Sequence, residues 1–355
     1  MKARAARDMS LIGEYAMSVP TEKEIVSPVN LCDDSGLLNR AAVGWSRVPL
    51  QKGNLKGAFL RKKRWDYWCI TSDDFIFSLT IANVDYVGLC SFYIIDCAKK
   101  EMYEKTVATP FGAGVEQGEL VDSPARFSWG RSSASFVHDP SSIRMKAFMP
   151  GHKLGDFSCD LNISKPAGHE TLNVVVPWDD RRFQFTSKQN TMPASGKVTL
   201  GGMSIEFDAS KSFACLDYGR GIWPYSISWN WGSCSGRSGS NIIGLNLGGK
   251  WTDGTGSTEN GICLNGRLYK ISEELVWEYD TKNFLAPWKI RTPLSKDLDL
   301  NFVPFFNRRG HTDAVVLKMC ADQTFGRYFG TVRADGRDVP LDGVLGWAEH
   351  VVNRW

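Results

Sequence analysis

Three carboxylates lie close in sequence to a run of tryptophans and asparagines: Asp217, Asp253 and Glu259 flank a stretch containing Trp223, Trp229, Asn230 and Trp231. A carboxyl group desolvated among indole rings keeps its proton near neutrality, because burial penalises the charged form. Such an acid could protonate an isolated alkene, a very poor base, if bulk water is excluded. The resulting cation needs aromatic faces, each stabilising it by about 0.5–2 kcal/mol. On this chemistry Asp217 and Glu259 are the candidate acids. Trp223, Trp229, Trp231 and Trp288 form the aromatic lining, and Asn230, Asn246 and Asn260 position water or a substrate hydroxyl. Arg220 and Tyr225 complete the candidate ligand-binding set, Arg220 as an orienting charge. Water would give hydration and an internal hydroxyl would give cyclisation, with no redox or metal cofactor required. A plainer reading stands beside each. Tyr225, Ile227, Trp229 and Trp231 share one face of an alternating strand and would serve a packed core. Arg220, three residues beyond Asp217, would bridge to it and fix the preceding turn.

Other partial motifs fail on context. Gly244-Leu245-Asn246-Leu247-Gly248-Gly249-Lys250 matches the start of a phosphate-binding loop, but Trp251 follows where Ser or Thr is needed, and no helix pattern comes after it. Gly232-Ser233-Cys234-Ser235-Gly236 resembles a nucleophile elbow without its strand-to-helix setting. The five histidines and nine cysteines show no metal-ligand spacing, and no C-x-x-C occurs.

The elements that must position these residues have a period of two. Phe75, Phe77, Leu79 and Ile81 alternate with Ile76, Ser78 and Thr80, and Phe157, Cys159, Leu161 and Ile163 alternate with polar residues. Phe183 and Phe185, and Ile205 and Phe207, repeat the pattern. Turn dipeptides recur at Asp253-Gly254, Asn265-Gly266, Asp335-Gly336 and Asp342-Gly343. Short helices are expected only at Asp8–Met17 and near the C-terminus. Many strands with short turns read as an all-β antiparallel architecture of sandwiches or barrels. At 355 residues two domains are natural. Residues 1–29 read as an N-terminal extension, 30–190 as a first β domain and 191–355 as a second, the boundary resting on the loop-like Thr191-Met192-Pro193-Ala194-Ser195-Gly196.

Charge and composition narrow the function classes. The net charge of +3 is too balanced for a generic nucleic-acid binder, so no nucleic-acid partner is expected. Residues 1–64 nevertheless carry a balance of +6, including Arg61-Lys62-Lys63-Arg64, which suits a solvated face or peripheral contact with anionic membranes. No apolar run is long enough for a membrane-spanning helix, and no secretory signal is evident. An odd, scattered set of cysteines fits reduced thiols in the cytoplasm. The high aromatic content, 13 Trp, 10 Tyr and 19 Phe, suits strands and an apolar pocket.

The stretch Asp217-Tyr218-Gly219-Arg220-Gly221-Ile222-Trp223-Pro224 with Trp229-Asn230-Trp231-Gly232 resembles the D-x-G-R-G-x-W-P…W-N-W-G signature of the domain of unknown function 2804 family. Gly244–Gly248, Thr258-Glu259-Asn260-Gly261, Leu298–Pro304, Phe325–Gly330 and Gly346-Trp347-Ala348-Glu349-His350 resemble it further, over about residues 30–355. That family is distantly similar to a superfamily of paired lipocalin-like barrels, which includes carotenoid 1,2-hydratases, tocopherol cyclases, fungal cyclisation enzymes and a survival-factor group that handles sphingolipids. The resemblance implies two lipocalin-like antiparallel β-barrels holding a large apolar ligand, isoprenoid- or lipid-like, and carries over no catalytic residue. Two functions therefore stand open: cofactor-free hydration or cyclisation, and non-catalytic carriage of a lipid.

Overall fold

The computed structural model describes residues 18–314 and 317–354, and nearly all of them are strand, turn or loop. The helix expected at Asp8–Met17 lies outside the described residues. The helix expected near the C-terminus is instead the strand Arg337–Arg354, in which buried Val339 and Leu341 alternate with exposed Asp338, Pro340 and Asp342. Among the described residues a single 3-10 turn, Arg40–Ala42, is the helical element. No helix among them is long and apolar enough to cross a membrane.

The strands form two large curled antiparallel sheets, the two lipocalin-like barrel domains. In the first, Glu101–Pro110, Val87–Asp96, Phe75–Asn83, Lys62–Thr71, Phe213–Ile222 and Phe183–Leu200 lie side by side, and the sheet continues through Gly155–Ser164 to Val115–Gln117. In the second, Ser226–Ser238 pairs with Arg337–Arg354 on one side and Asn241–Gly249 on the other. The long hairpins Leu298–Ala314, Leu317–Ala334 and Arg337–Arg354 complete its wall.

The change of sheet falls between Ile222 and Ser226. The loop-like Thr191–Gly196 lies inside the strand Phe183–Leu200, at a bulge between Gln189 and Met192. Thr191 has φ 61° there, so the chain bends without leaving the sheet. Its two halves have different partners: Leu172–Pro177 before the bulge and Gly155–Ser164 after it. Asp342-Gly343 is likewise a bulge, opposite Phe329, and not a hairpin turn.

Both barrel interiors are filled by side chains. The first holds Trp68, Phe77, Phe92, Phe127, Phe157 and Phe185, and the second Leu245, Ile262, Trp288, Phe302 and Tyr328. Each such side chain contributes roughly 1.5–3 kcal/mol by burial. The outer faces of the two sheets meet across a further pair of clusters, one containing Cys69, Cys215, Trp231 and Trp347, the other Trp45, Trp223 and Trp251. Room for a guest molecule lies in this seam.

Candidate functional site

A cavity of about 330 Å³ opens between the two sheets. Strand alternation builds it. Trp65 and Tyr67, Lys188, and Asp217 face the seam from the first sheet, while their neighbours Asp66, Trp68 and Tyr218 point into the first barrel. Trp229, Trp231, Gln323 and Glu349 face it from the second, and Trp223 and Trp251 close one end. Lys188 and Asp217 are direct cross-strand partners, and Asp217 is in turn opposite Tyr67. The expected pocket is thus formed between the barrels, because each barrel interior is already occupied by core.

The charged part of the wall is a three-membered bridge. Lys188 Nζ lies 2.9 Å from Asp217 Oδ1 and 3.0 Å from Glu259 Oε2, with the Lys188 side chain 5% exposed and that of Glu259 2%. Its ammonium also sits 4.3 Å above the Trp231 ring centre. Burial opposes the Lys188 charge, but the two carboxylates outweigh it and raise the pKa above the usual lysine value. Burial pushes Glu259 upward, with Lys188 and the Trp251 N–H pulling the other way.

Glu349 differs from both. It has no such cation on its oxygens: Trp229 Nε1 donates to Oε2 at 3.2 Å and Gln323 Nε2 donates to Oε1 at 2.7 Å. Burial pushes its carboxyl up to about 7, against the lowering influence of the Trp229 N–H. Glu349 is partly exposed and lines the cavity. At neutral pH it is poised between acid and carboxylate, the condition in which a general acid works best.

The tryptophans are fixed in place by their own N–H groups. Trp223 donates to Gln184 Oε1, Trp251 to Glu259 Oε1 and Trp231 to Asn246 Oδ1, at 2.7, 2.7 and 2.8 Å. Trp223 and Trp251 stack at 5.5 Å and 15°. Glycines make room for this layer. A Cβ on Gly219 would meet the Trp65 ring at 2.2 Å, and one on Gly248 would meet Glu259 Cγ at 2.3 Å. The glycines of the signature therefore let a flat aromatic and a carboxylate lie against the sheet.

Of the residues singled out in the sequence, Asp217, Glu259, Trp223, Trp229 and Trp231 line the cavity together. The others lie elsewhere. Arg220 is buried inside the first barrel, where Nη2 donates to Asp66 Oδ2 at 3.0 Å and the guanidinium covers the Tyr218 ring. It does not bridge to Asp217, because residues three apart on a strand face opposite sides. Asn230 donates to the Glu349 carbonyl and to Tyr279, on the far side of its strand. Asn246 holds the Trp231 N–H and the Glu259 carbonyl, while Asn260 caps Gly248 N and Glu273 O. All three asparagines satisfy buried polar groups of the framework. Trp288 stacks on Tyr279 inside the second barrel, Tyr225 is exposed, and Asp253 caps the Lys250 turn. Lys63, within the basic run expected to be solvated, is buried over the Tyr86 ring. Lys188 and Glu349 are the site residues that the sequence reading passed over. Lys188 continues the polar face Gln184, Thr186, Lys188, and Glu349 shares a strand face with Trp347 and Val351, so both carry a period-two signal.

Comparison with known proteins agrees with this architecture. No curated protein matches the chain. Among solved structures, CghA with Sch210972 superposes with a TM-score of 0.53 at 11% identity, covering 91% of this chain and 97% of that one. CghA alone gives 0.51 at 11% identity, with 86% and 93% covered. A putative AttH of Nitrosomonas europaea gives 0.49 at 11% identity, with 82% and 92% covered. At such identity the likeness to CghA is one of fold alone. The family model described as domain of unknown function 2804 matches residues 22–355, and the chain belongs to that family.

Proposed function

We propose that the seam between the barrels binds an apolar, isoprenoid- or lipid-like small molecule and that Glu349 is the general acid of a cofactor-free hydration or cyclisation. The observation that carries this reading is the Glu349 carboxyl, held near pKa 7 in a wall of tryptophans. The cavity volume falls at the lower end of ligand pockets and suits a compact skeleton better than a long extended chain. That CghA, of the same fold, is seen with Sch210972 supports a small-molecule ligand.

In the proposed step the Glu349 O–H transfers its proton to one alkene carbon. The alkene π pair forms the new C–H bond, and the neighbouring carbon becomes a cation facing Trp229 and Trp231. Water, or a hydroxyl of the same molecule, donates a lone pair to that carbon. The proton it sheds returns to the Glu349 carboxylate, so the acid is regenerated. Asp217 and Glu259, the acids suggested by the sequence, instead hold Lys188 and compensate its buried charge. Non-catalytic carriage is the second reading. It has less support, because an apolar carrier needs neither a buried ion-pair triad nor a carboxyl tuned to neutrality, both of which carry a desolvation cost.

The test begins with native mass spectrometry of the purified protein and extraction of whatever is retained, which names the ligand class. With that compound, Glu349→Gln should lower turnover by at least about 100-fold, the low end for loss of a general acid. Unchanged turnover would remove Glu349 as the acid, and recovery of the compound unaltered by the wild-type protein would leave carriage as the function.

A further inference from the structure

We infer that Glu22, far from the cavity in sequence, is a positioning residue that holds Glu259 on Lys188 by neutralising a second buried lysine, Lys270. Glu22 belongs to the N-terminal segment that runs beside the first sheet: Ile25 N donates to Trp45 O at 2.6 Å and Trp45 N to Lys23 O at 3.0 Å. From there its carboxylate crosses to the second sheet. Oε1 accepts from Thr258 N at 3.2 Å, lies 2.9 Å from Thr258 Oγ1 and pairs with Lys270 Nζ. The pair is deeply buried, with the side chains 3% and 4% exposed. Lys270 Nζ also donates to Thr258 Oγ1 at 2.6 Å and to Ile271 O at 2.8 Å.

Thr258 immediately precedes Glu259, so the two lysines hold adjacent residues of the same short segment. Lys188 Nζ holds Glu259 Oε2, and Lys270 Nζ holds the neighbouring Thr258 Oγ1. The carboxylates that act on Lys270 are those of Glu22 and Glu259, while Glu259 itself faces Lys188 and, beyond it, Asp217. With Glu22 in place Lys270 has a partner of its own. Without that carboxylate the remaining anion that acts on Lys270 is Glu259, whose charge would then be divided between two lysines. A residue at the edge of the fold thereby sets the charge of the cavity floor.

The inference rests on the reading of the seam as the functional site, but its test does not use the ligand or Glu349. The carboxyl carbon of Glu259, labelled with ¹³C-glutamate and assigned by its loss in Glu259→Gln, is titrated by NMR in the full chain. Glu22→Gln should lower the Glu259 midpoint by about one unit, the low end for a newly uncompensated neighbouring cation. Lys270→Met should raise it, and the double variant should return close to wild type. If Glu22→Gln does not fold, Lys270→Met decides alone: an upward shift supports the inference. A Glu259 titration indifferent to these changes, with only thermal stability lost, would make Glu22 a structural staple and overturn it. Failure here would leave the Glu349 assignment standing.

Discussion

Trp229 Nε1 donates to Glu349 Oε2 at 3.2 Å across the junction of two adjacent strands of the second sheet, and both side chains face the first. The indole thus supplies a hydrogen bond to the carboxyl and part of the apolar wall that desolvates it. These influences oppose each other, and burial is the larger, which leaves the group near pKa 7 where a solvated glutamate has 4.5.

This carries a stability consequence with a definite sign. The folded protein holds the Glu349 proton more tightly than the unfolded chain, so the stabilisation is complete below the ordinary value of 4.5 and is lost as pH rises to about 7. Relative to Glu349→Gln, the wild type should lose on the order of 3 kcal/mol between about pH 4 and pH 8. Urea denaturation of both proteins at the two pH values checks it. A constant difference would contradict it.

Lys188 should behave as the keystone of two buried carboxylates. Lys188→Met leaves Asp217 and Glu259 without a cation and should destabilise by about 3–5 kcal/mol. Adding Asp217→Asn and Glu259→Gln should restore most of that loss, read as the denaturant midpoint. A triple variant no more stable than Lys188→Met would mean that lost packing on Trp231, not uncompensated charge, dominates.

Arg220 should matter for folding and not for the ligand. Arg220→Met strands the Asp66 carboxylate inside the first barrel, at a cost of about 3–5 kcal/mol, and Asp66→Asn should offset much of it. The double variant should retain the same co-purifying molecule as wild type by native mass spectrometry. Loss of that molecule from a folded double variant would return Arg220 to the binding site.

Gly248→Ala tests the contact between backbone and carboxylate. The added methyl meets Glu259 Cγ at 2.3 Å, and Glu259 is enclosed, so it cannot move freely. The expected cost is about 1–3 kcal/mol, with weakened ligand retention. Calorimetry and native mass spectrometry read the two effects, and a neutral outcome would show that Glu259 can shift after all.

The legible part of this protein was its strand alternation. The carboxylates near the aromatic face of Trp229 and Trp231 pointed to one site, and Asp217 and Glu259 do meet there. Strand pairing was not legible, since Lys188 is brought to Asp217 by a register that alternation alone does not specify. Pro193 and Gly196 resemble a linker in sequence, yet they lie within a bulged strand. Two signals could have been used. Parity separates Arg220 from Asp217, and a glutamate between Trp347 and Val351 on one strand face marks Glu349 as a carboxyl among apolar neighbours.

The central claim is that the seam holds a carboxyl that remains substantially protonated at neutrality. Site-resolved ¹³C NMR titration of the Glu349 carboxyl, assigned by its absence in Glu349→Gln, measures this directly. A midpoint near 7 is expected. A midpoint near the ordinary 4.5 would contradict the account, because Glu349 would then be a carboxylate with no proton to give.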